Sequence, residues 1–291
     1  MNIIQFLGAL ELGLIYGLVA VAVYLTFRII DFPDLTVDGS FTLGAAVSAS
    51  LIVKGVHPLY ATLAAFAAGA LSGVVTAYLH VRWHILGLLA GILTMTALYS
   101  INLRIMERPN IALLSEPTLF NQWEIPYGVL VILGIIVVCV IVLLTRFLLS
   151  QLGLGLRATG VNPRVSRSYG VNVGAMIIIA LALSNAIVAF GGALFTQSQG
   201  FADISMGAGT IITGLASVIV GETVMRSRNI AVALVSCLVG SVLYRLAVAF
   251  ALNAGDLGLK ASDLNLITAL LVAVTMVLPK LQKSFAKTRR S

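Results

Sequence analysis

Nine stretches, each roughly 16–25 residues long and nearly free of charge, constrain this chain more than any motif does. They are Phe6–Arg28, Val37–Val53, Leu59–Leu79, Ile85–Ile105, Tyr127–Leu149, Val173–Gln197, Ile204–Val220, Ile230–Leu252 and Leu264–Pro279. An apolar helix of about 20 residues crosses the hydrocarbon core of a bilayer. The second, seventh and ninth stretches are short for that. They predict tilted, broken or partly re-entrant elements and a total of eight to ten spans. Hydrophobic residues make up 59% of the 291 and charged residues 10%, with a mean hydropathy of +1.06. No soluble fold of this length buries that much apolar surface. The expectation is an all-α polytopic membrane protein with about nine transmembrane helices, one domain over residues 1–291. The opening MNIIQFLGALELG has neither a basic n-region nor a small-residue cleavage site, and reads as part of the first membrane helix.

The longest weakly hydrophobic interruption of the second half is QLGLGLRATGVNPRVSRSYGVNV, residues 151–173. Arg146, Arg157, Arg164 and Arg167 lie in or beside it, and no Asp or Glu occurs between Glu124 and Asp203. A basic loop between two spans belongs in the cytoplasm. Asn162 before Pro163 reads as an N-cap with proline at the first helical position, and Gly170 as a left-handed stop. The spacing predicts a two-turn helix over Pro163–Tyr169 outside the membrane. Val165 and Tyr169 then share one face and Arg164 and Arg167 another, while Asn172 caps the next membrane helix. Two readings stay open on these residues: an interfacial helix on anionic headgroups, or a knob presented to a cytoplasmic partner.

Alternating outward from that loop gives thirteen basic residues inside: Arg28, Arg82, Arg146, Arg157, Arg164, Arg167, Arg226, Arg228 and the tail Lys280, Lys283, Lys287, Arg289 and Arg290. Lys54, Arg104, Arg108 and Lys260, four in all, fall outside, and Arg245 falls inside a span. The asymmetry predicts a cytoplasmic C-terminus carrying the basic tail of residues 280–291. The net charge of +7 resides in loops and tail, so it is no nucleic-acid signature.

A second interruption, RIIDFPDLTVDGSFTLGAA, residues 28–46, places Asp31, Asp34 and Asp38 between two spans. Pro33 prevents a simple helical passage, and Asp38-Gly39-Ser40 reads as a start of the next helix. One reading is a solvated turn with an Asp cap. The other is a kinked element lining a transport path or supporting its gate, since broken membrane helices need a covering of protein or water. ISMGAGTIITGLASVIVGE, residues 204–222, repeats the break-then-small-residue pattern, which suggests paired interrupted segments with a pathway between them. Glu222 reads as an ion-pair partner of the nearby Arg226 and Arg228. The fourth span carries Thr96, Tyr99 and Ser100 near one face, and the sixth carries Asn185; with Asp31, Asp34, Asp38 and Ser40 these are the candidate path or gate residues.

Gly13/Gly17, Gly69/Gly73 and Gly87/Gly91 repeat the spacing that lets helices approach closely, read chiefly as packing within one chain. Cys139 and Cys237 fall within spans as packed thiols, and His80 and His84 flank a short turn where an interfacial role outweighs a metal. Neither a phosphate-binding Gly-x-x-x-x-Gly-Lys-Ser/Thr loop nor a hydrolase motif occurs.

Two runs resemble a known family. GLIYGLVAVAVYLTFRIIDFPDLTVDGSFTLGA is similar to the opening of permease subunits of the branched-chain amino acid and ribose class of ABC importers. RATGVNPRVSRSYGVNVGAMIIIALALSNAIVAFGGAL is similar to that class's cytoplasmic coupling segment and the helix after it. FPDLTVDGSF and LLAGILTMTALYSINLRIM look most like a subgroup associated with tryptophan and tyrosine uptake. Branched-chain permeases usually carry an Asn-Phe-Ala-His-Gly-Glu-like run where this chain has Asp31–Ser40, which disfavours a branched aliphatic substrate.

The resemblance implies a bacterial inner-membrane permease that pairs with a second copy of itself and performs no covalent chemistry. It implies two ATPase subunits, which bind ATP and Mg, docked on the coupling residues Arg157, Asn162, Pro163, Arg164, Val165, Arg167, Tyr169 and Gly170. It implies an extracytoplasmic substrate-binding protein, and no cofactor in this chain. The alternative is an ion-coupled secondary transporter with Asp31, Asp34 or Asp38 as the proton or sodium site.

Overall fold

Helix α1 (Ile3–Tyr24) is the axis of the molecule. Its sequence is apolar on every side, and a helix of that kind belongs in the middle of a bundle. Every residue from Ile15 to Val23 is buried. The structure is a computed structural model and describes residues 3–121, 128–225, 227 and 229–253. Helix α1 ends in a π-helical turn, Leu25–Ile29, followed by α2 (Thr36–Val53), α3 (Pro58–Trp83) and α4 (Gly87–Met106). Strand β1 (Asn110–Ala112) precedes α5 (Gly128–Leu149), α6 (Gln151–Val161), α7 (Pro163–Ser168) and α8 (Val173–Gln199). Strand β2 (Phe201–Asp203), α9 (Thr210–Val224) and α10 (Ile230–Asn253) complete the described residues.

The chain is an all-α polytopic membrane protein. Seven helices among the described residues are long and apolar enough to span: α1 with its π turn, α2, α3, α4, α5, α8 and α10. The expected seventh span is instead the 15-residue α9, which starts at Thr210 rather than Ile204. The expected ninth span, Leu264–Pro279, and the tail lie outside the described residues. Large apolar side chains such as Leu71, Ile135 and Leu143 stand exposed on α3 and α5, as a lipid-facing surface requires.

The glycine pairs pack within the chain. A Cβ on Gly13 or Gly17 would meet Val242 or Leu238 of α10, and one on Gly69 or Gly73 would meet the carbonyls of Asn185 or Leu181 of α8. Gly91 lies against the backbone of Leu35 and Gly87 against the ring of Phe32. These contacts set α1 antiparallel to α10 and α3 antiparallel to α8.

A small antiparallel clasp closes one end, with Asn110 opposite Asp203 and Ala112 opposite Phe201. Leu113 extends it by donating its N–H to Gly200 O at 2.7 Å. Behind it, buried Gln197 donates to Ser48 and Thr62 hydroxyls and accepts the N–H of Leu119. The Ser205 hydroxyl and amide both donate to Asp203, holding that carboxyl below its ordinary range.

Candidate functional site

The extended stretch after the π turn carries the first set of expected residues. Pro33 removes one backbone donor, and Asp31 takes a left-handed φ of 56°, so the helix stops. Asp31 stays exposed, while Asp34 is fully buried. Asp34 Oδ1 accepts the Thr36 N–H at 2.9 Å, and Oδ2 accepts Asn185 Nδ2 at 2.7 Å. Asn185 Oδ1 in turn accepts the Ser40 hydroxyl at 2.7 Å, and Ser40 and Ser72 hydroxyls lie 2.8 Å apart. Thr36 and Thr76 pair one turn away at 2.7 Å. The carboxylate is therefore tied to α2 and α8 by neutral groups, and through Ser40 and Ser72 the network reaches α3. Buried polar groups require such partners, and this set supplies them for both carboxylate oxygens.

Asp38 does something different from the expected local cap. Asp34 already receives the first amide of α2, so the helix starts at Thr36, and Asp38 lies in its first turn. Asp38 reaches instead to α9. Its Oδ2 accepts Gly209 N–H at 3.0 Å and its Oδ1 accepts Ile211 N–H at 2.8 Å. Gly209, with a φ of 80°, precedes α9 and offers no side chain of its own. Asp38 is thus an N-cap supplied from another helix, and its negative charge suits the positive end of α9. Thr42 Oγ1 accepts Gly207 N–H at 3.1 Å, and a Cβ on Gly207 would lie 2.0 Å from Asp38 O. The two interrupted segments, paired in sequence only by their pattern, meet in space. At the other end of α9, Glu222 pairs with Arg28 of the π turn; the expected partners Arg226 and Arg228 lie outside the described residues.

Residues 151–173, expected as a connecting loop with one short helix, form two helices. Ser150 caps α6 by accepting Gly153 N–H at 3.3 Å. Three glycines in α6 disfavour a helix by propensity, yet packing uses two of them. A Cβ on Gly153 would lie 2.4 Å from the backbone of Leu148, and one on Gly160 would lie 1.8 Å from Ile29 O. Helix α6 therefore rests directly on the π turn that leads into the Asp34 stretch. The expected α7 is present as Pro163–Ser168, capped by Asn162 Oδ1, which accepts Arg164 N–H at 3.1 Å and Val165 N–H at 3.2 Å. Gly170 has a φ of 83°, and Asn172 caps α8 through Ala175 N–H at 3.1 Å. Of α7 only Ser166 is buried; Pro163, Arg164, Val165 and Arg167 are exposed, as are Asn162, Tyr169 and Gly170, while Arg157 on α6 is half-buried.

Asp34, Ser40 and Asn185 are brought together, with Asp38 close by. Thr96 and Tyr99 are not. Both lie on the exposed face of α4, where Thr96 bonds only the carbonyls of Ile92 and Leu93. The buried polar face of that helix is Thr94 and Asn102, the latter donating to Gly39 O at 3.3 Å. Ser72 and Thr76 were missed, although they flank Gly73 on the α3 face that the glycines press against α8.

The chain matches the family model described as branched-chain amino acid transport system / permease component over residues 5–278. It is 40% identical to the tyrosine transport system permease protein of Clostridioides difficile (strain R20291) over 276 residues, 95% of this chain and 92% of that one. It is 27% identical to the ribose import permease protein RbsC of Escherichia coli (strain K12) over 197 residues, 65% of this chain and 60% of that one. Its fold matches a chain of PsaBC from Streptococcus pneumoniae in complex with Fab, with a TM-score of 0.55 at 12% identity, covering 93% and 89% of the two chains.

Proposed function

The chain belongs to the branched-chain amino acid transport system / permease component family, and from that premise we propose that it is the membrane subunit of an ATP-driven ABC importer for a small polar solute, an amino acid with an aromatic side chain favoured. The likeness to a tyrosine permease across nearly the whole of both chains supports the substrate class. The observation that carries the mechanism is α7: a capped helix whose basic and apolar side chains stand exposed among the described residues. Such a surface fits a partner, and two ATPase subunits, one on each of two permease copies, are that partner. They bind the ATP and Mg; this chain supplies the lever.

The lever has a direct route inward. Helix α7 continues from α6, α6 lies on Ile29, and the stretch after Ile29 carries Asp34 and then α2. Movement of α7 on ATP binding passes through that contact to the buried network, and through Asp38 to α9. The solute, delivered by an extracytoplasmic binding protein, crosses between the two copies as these elements shift. The basic end carrying α7 faces the cytoplasm of a bacterial inner membrane, and the clasp end faces outward. The ion-coupled alternative gains nothing from this geometry, because both oxygens of Asp34 and both of Asp38 already accept N–H donors.

The test is reconstitution. The permease, its partner phosphate-loop ATPase and the cognate binding protein are placed in proteoliposomes with labelled L-tyrosine. ATP-dependent accumulation without an ion gradient is expected. Accumulation that needs a proton or sodium gradient and ignores ATP would reverse the reading.

A further inference from the structure

Arg245 is a cation inside the spanning helix α10, and the buried network does not use it. Its guanidinium carbon stands 3.7 Å from the centre of the Tyr16 ring. Tyr16 belongs to the buried run of α1, while Arg245 itself is half-buried, so the charge lies against the bundle with part of its surface open. The single ion pair among the described residues is Arg28–Glu222; Glu11, on the same helix as Tyr16, does not pair with Arg245. Arg245 Nε is buried without a hydrogen-bond partner. A charge in a membrane helix is costly and marks a pathway or a ligand counter-ion. The tyrosine ring occupies only the flat face of the guanidinium. The N–H donors lie in its plane, where they match the fork of a carboxylate.

The surroundings of that cation are aromatic. Tyr16 stacks on Phe41 with centroids 5.6 Å apart, and Phe195 meets both rings edge-on at 6.2 and 5.7 Å. Phe195 also meets Phe201 at 6.4 Å. Phe201 lies in the clasp and is 39% exposed, whereas Phe41 is fully buried. The four rings form a continuous wall from the clasp end of the bundle to Arg245. Aromatic walls take aromatic ligands in edge-on or offset-stacked contact.

We propose that Arg245, held on Tyr16 at the inner end of this wall, is a way-station within the permease for the carboxylate of an aromatic amino acid. Phe195, the half-buried ring between Tyr16 and Phe201, takes the ligand's ring, and the guanidinium edge takes the carboxylate. The inference rests on the aromatic amino-acid reading above and adds a site to it.

The experiment is equilibrium binding of radiolabelled L-tyrosine to the permease–ATPase complex in nanodiscs, without the binding protein, alongside uptake by the complete system. In the wild type, L-phenylalanine and 3-(4-hydroxyphenyl)propionate should displace the label, and tyramine, which lacks the carboxylate, should not. Arg245→Gln should weaken binding about tenfold or more, as loss of a charged hydrogen bond does. Arg245→Lys should fall between, and Tyr16→Leu should weaken binding with the ATPase still attached. Unchanged binding in Arg245→Gln, with uptake intact, overturns the site and leaves the import reading standing. Should Arg245→Gln not assemble, the wild type decides: displacement by tyramine as strong as by L-phenylalanine overturns the proposal. A complete wild-type system that neither imports nor binds any amino acid overturns both.

Discussion

Asp34 and Arg164 belong to the two polar interruptions of an otherwise apolar chain, and their surroundings are opposite. Asp34 has no exposed surface and finds its partners on α2 and α8, within the chain. Arg164 is exposed at the tip of a helix that buries one residue. The first interruption is complete in itself, as a polar group in a low-dielectric bundle must be. The second is held in shape by Asn162 and Gly170 but covered by none of the described residues. Internal completion marks a part that moves as a body with its neighbours. External incompleteness marks a surface shaped for a partner. Gly160 against Ile29 is where the two regions touch, so the comparison makes that contact the first thing to break.

Gly160→Val carries the largest expected effect. Its Cβ would lie 1.8 Å from Ile29 O, and both neighbours are backbone, so nothing flexible gives way. The cost should reach the exceptional range of about 4–5 kcal/mol, seen as poor insertion or a collapsed melting transition in detergent. Gly155→Ala is the control, since its nearest neighbour is the flexible Met176 side chain at 3.2 Å; it should melt near the wild type. Equal tolerance of both substitutions would dissolve the link between the two regions.

Arg164→Glu/Arg167→Glu tests the incomplete region alone. The permease should insert and melt normally, because neither side chain supports the fold. ATPase copurification should weaken by about 2–5 kcal/mol if the charges are desolvated in the contact, with ATP-driven uptake lost. A helix that merely rests on lipid gives another pattern: the ATPase stays bound, and uptake follows anionic lipid content. Unchanged copurification together with unchanged uptake would falsify the coupling role.

The complete region is tested from within. Asp34→Ala orphans the Thr36 N–H and one Asn185 donor contact, each worth about 1–3 kcal/mol when left unmet in a buried site. Asp38→Ala removes the borrowed cap of α9, about 1–2 kcal/mol, while Asp38→Asn keeps an acceptor and should retain most of it. Both alanine variants should lower uptake while the ATPase still copurifies. Wild-type uptake at equal expression in both would return the stretch to a passive turn.

The sequence made the exposed interruption more legible than the buried one. Helix α7 is specified locally: Asn162, Pro163 and Gly170 within nine residues determine its start and stop, and all three act as expected. Helix α6 was not legible, because three glycines argue against a helix until Ile29 and Leu148 are known to press on them. The role of Asp38 was half legible. A carboxylate near a helix start reads as a cap, but α9 lies about 170 residues away, and only the fold brings its bare Gly209 N–H within reach. The polar residues on α4 were half legible for the same reason. Spacing identifies Thr96 and Tyr99 as one face without saying whether that face turns inward.

That outward face gives the smallest expected effect. Tyr99 is 56% exposed and contributes to no buried hydrogen bond, so Tyr99→Ala should move stability by no more than about 0.5 kcal/mol. Thr96→Ala should behave alike, since its hydroxyl bonds only its own helix. With the fold unaffected, a change in uptake would mean that this outward face of α4 meets the solute or a second copy rather than lipid. A modest fall in uptake velocity with unchanged melting is expected for Tyr99→Ala, because a hydroxyl-bearing ring on a membrane helix is better matched to a polar path than to acyl chains. Full uptake in both variants assigns this face of α4 to lipid. The path would then have to be sought on the side of α1 and α10, where Arg245 stands over Tyr16.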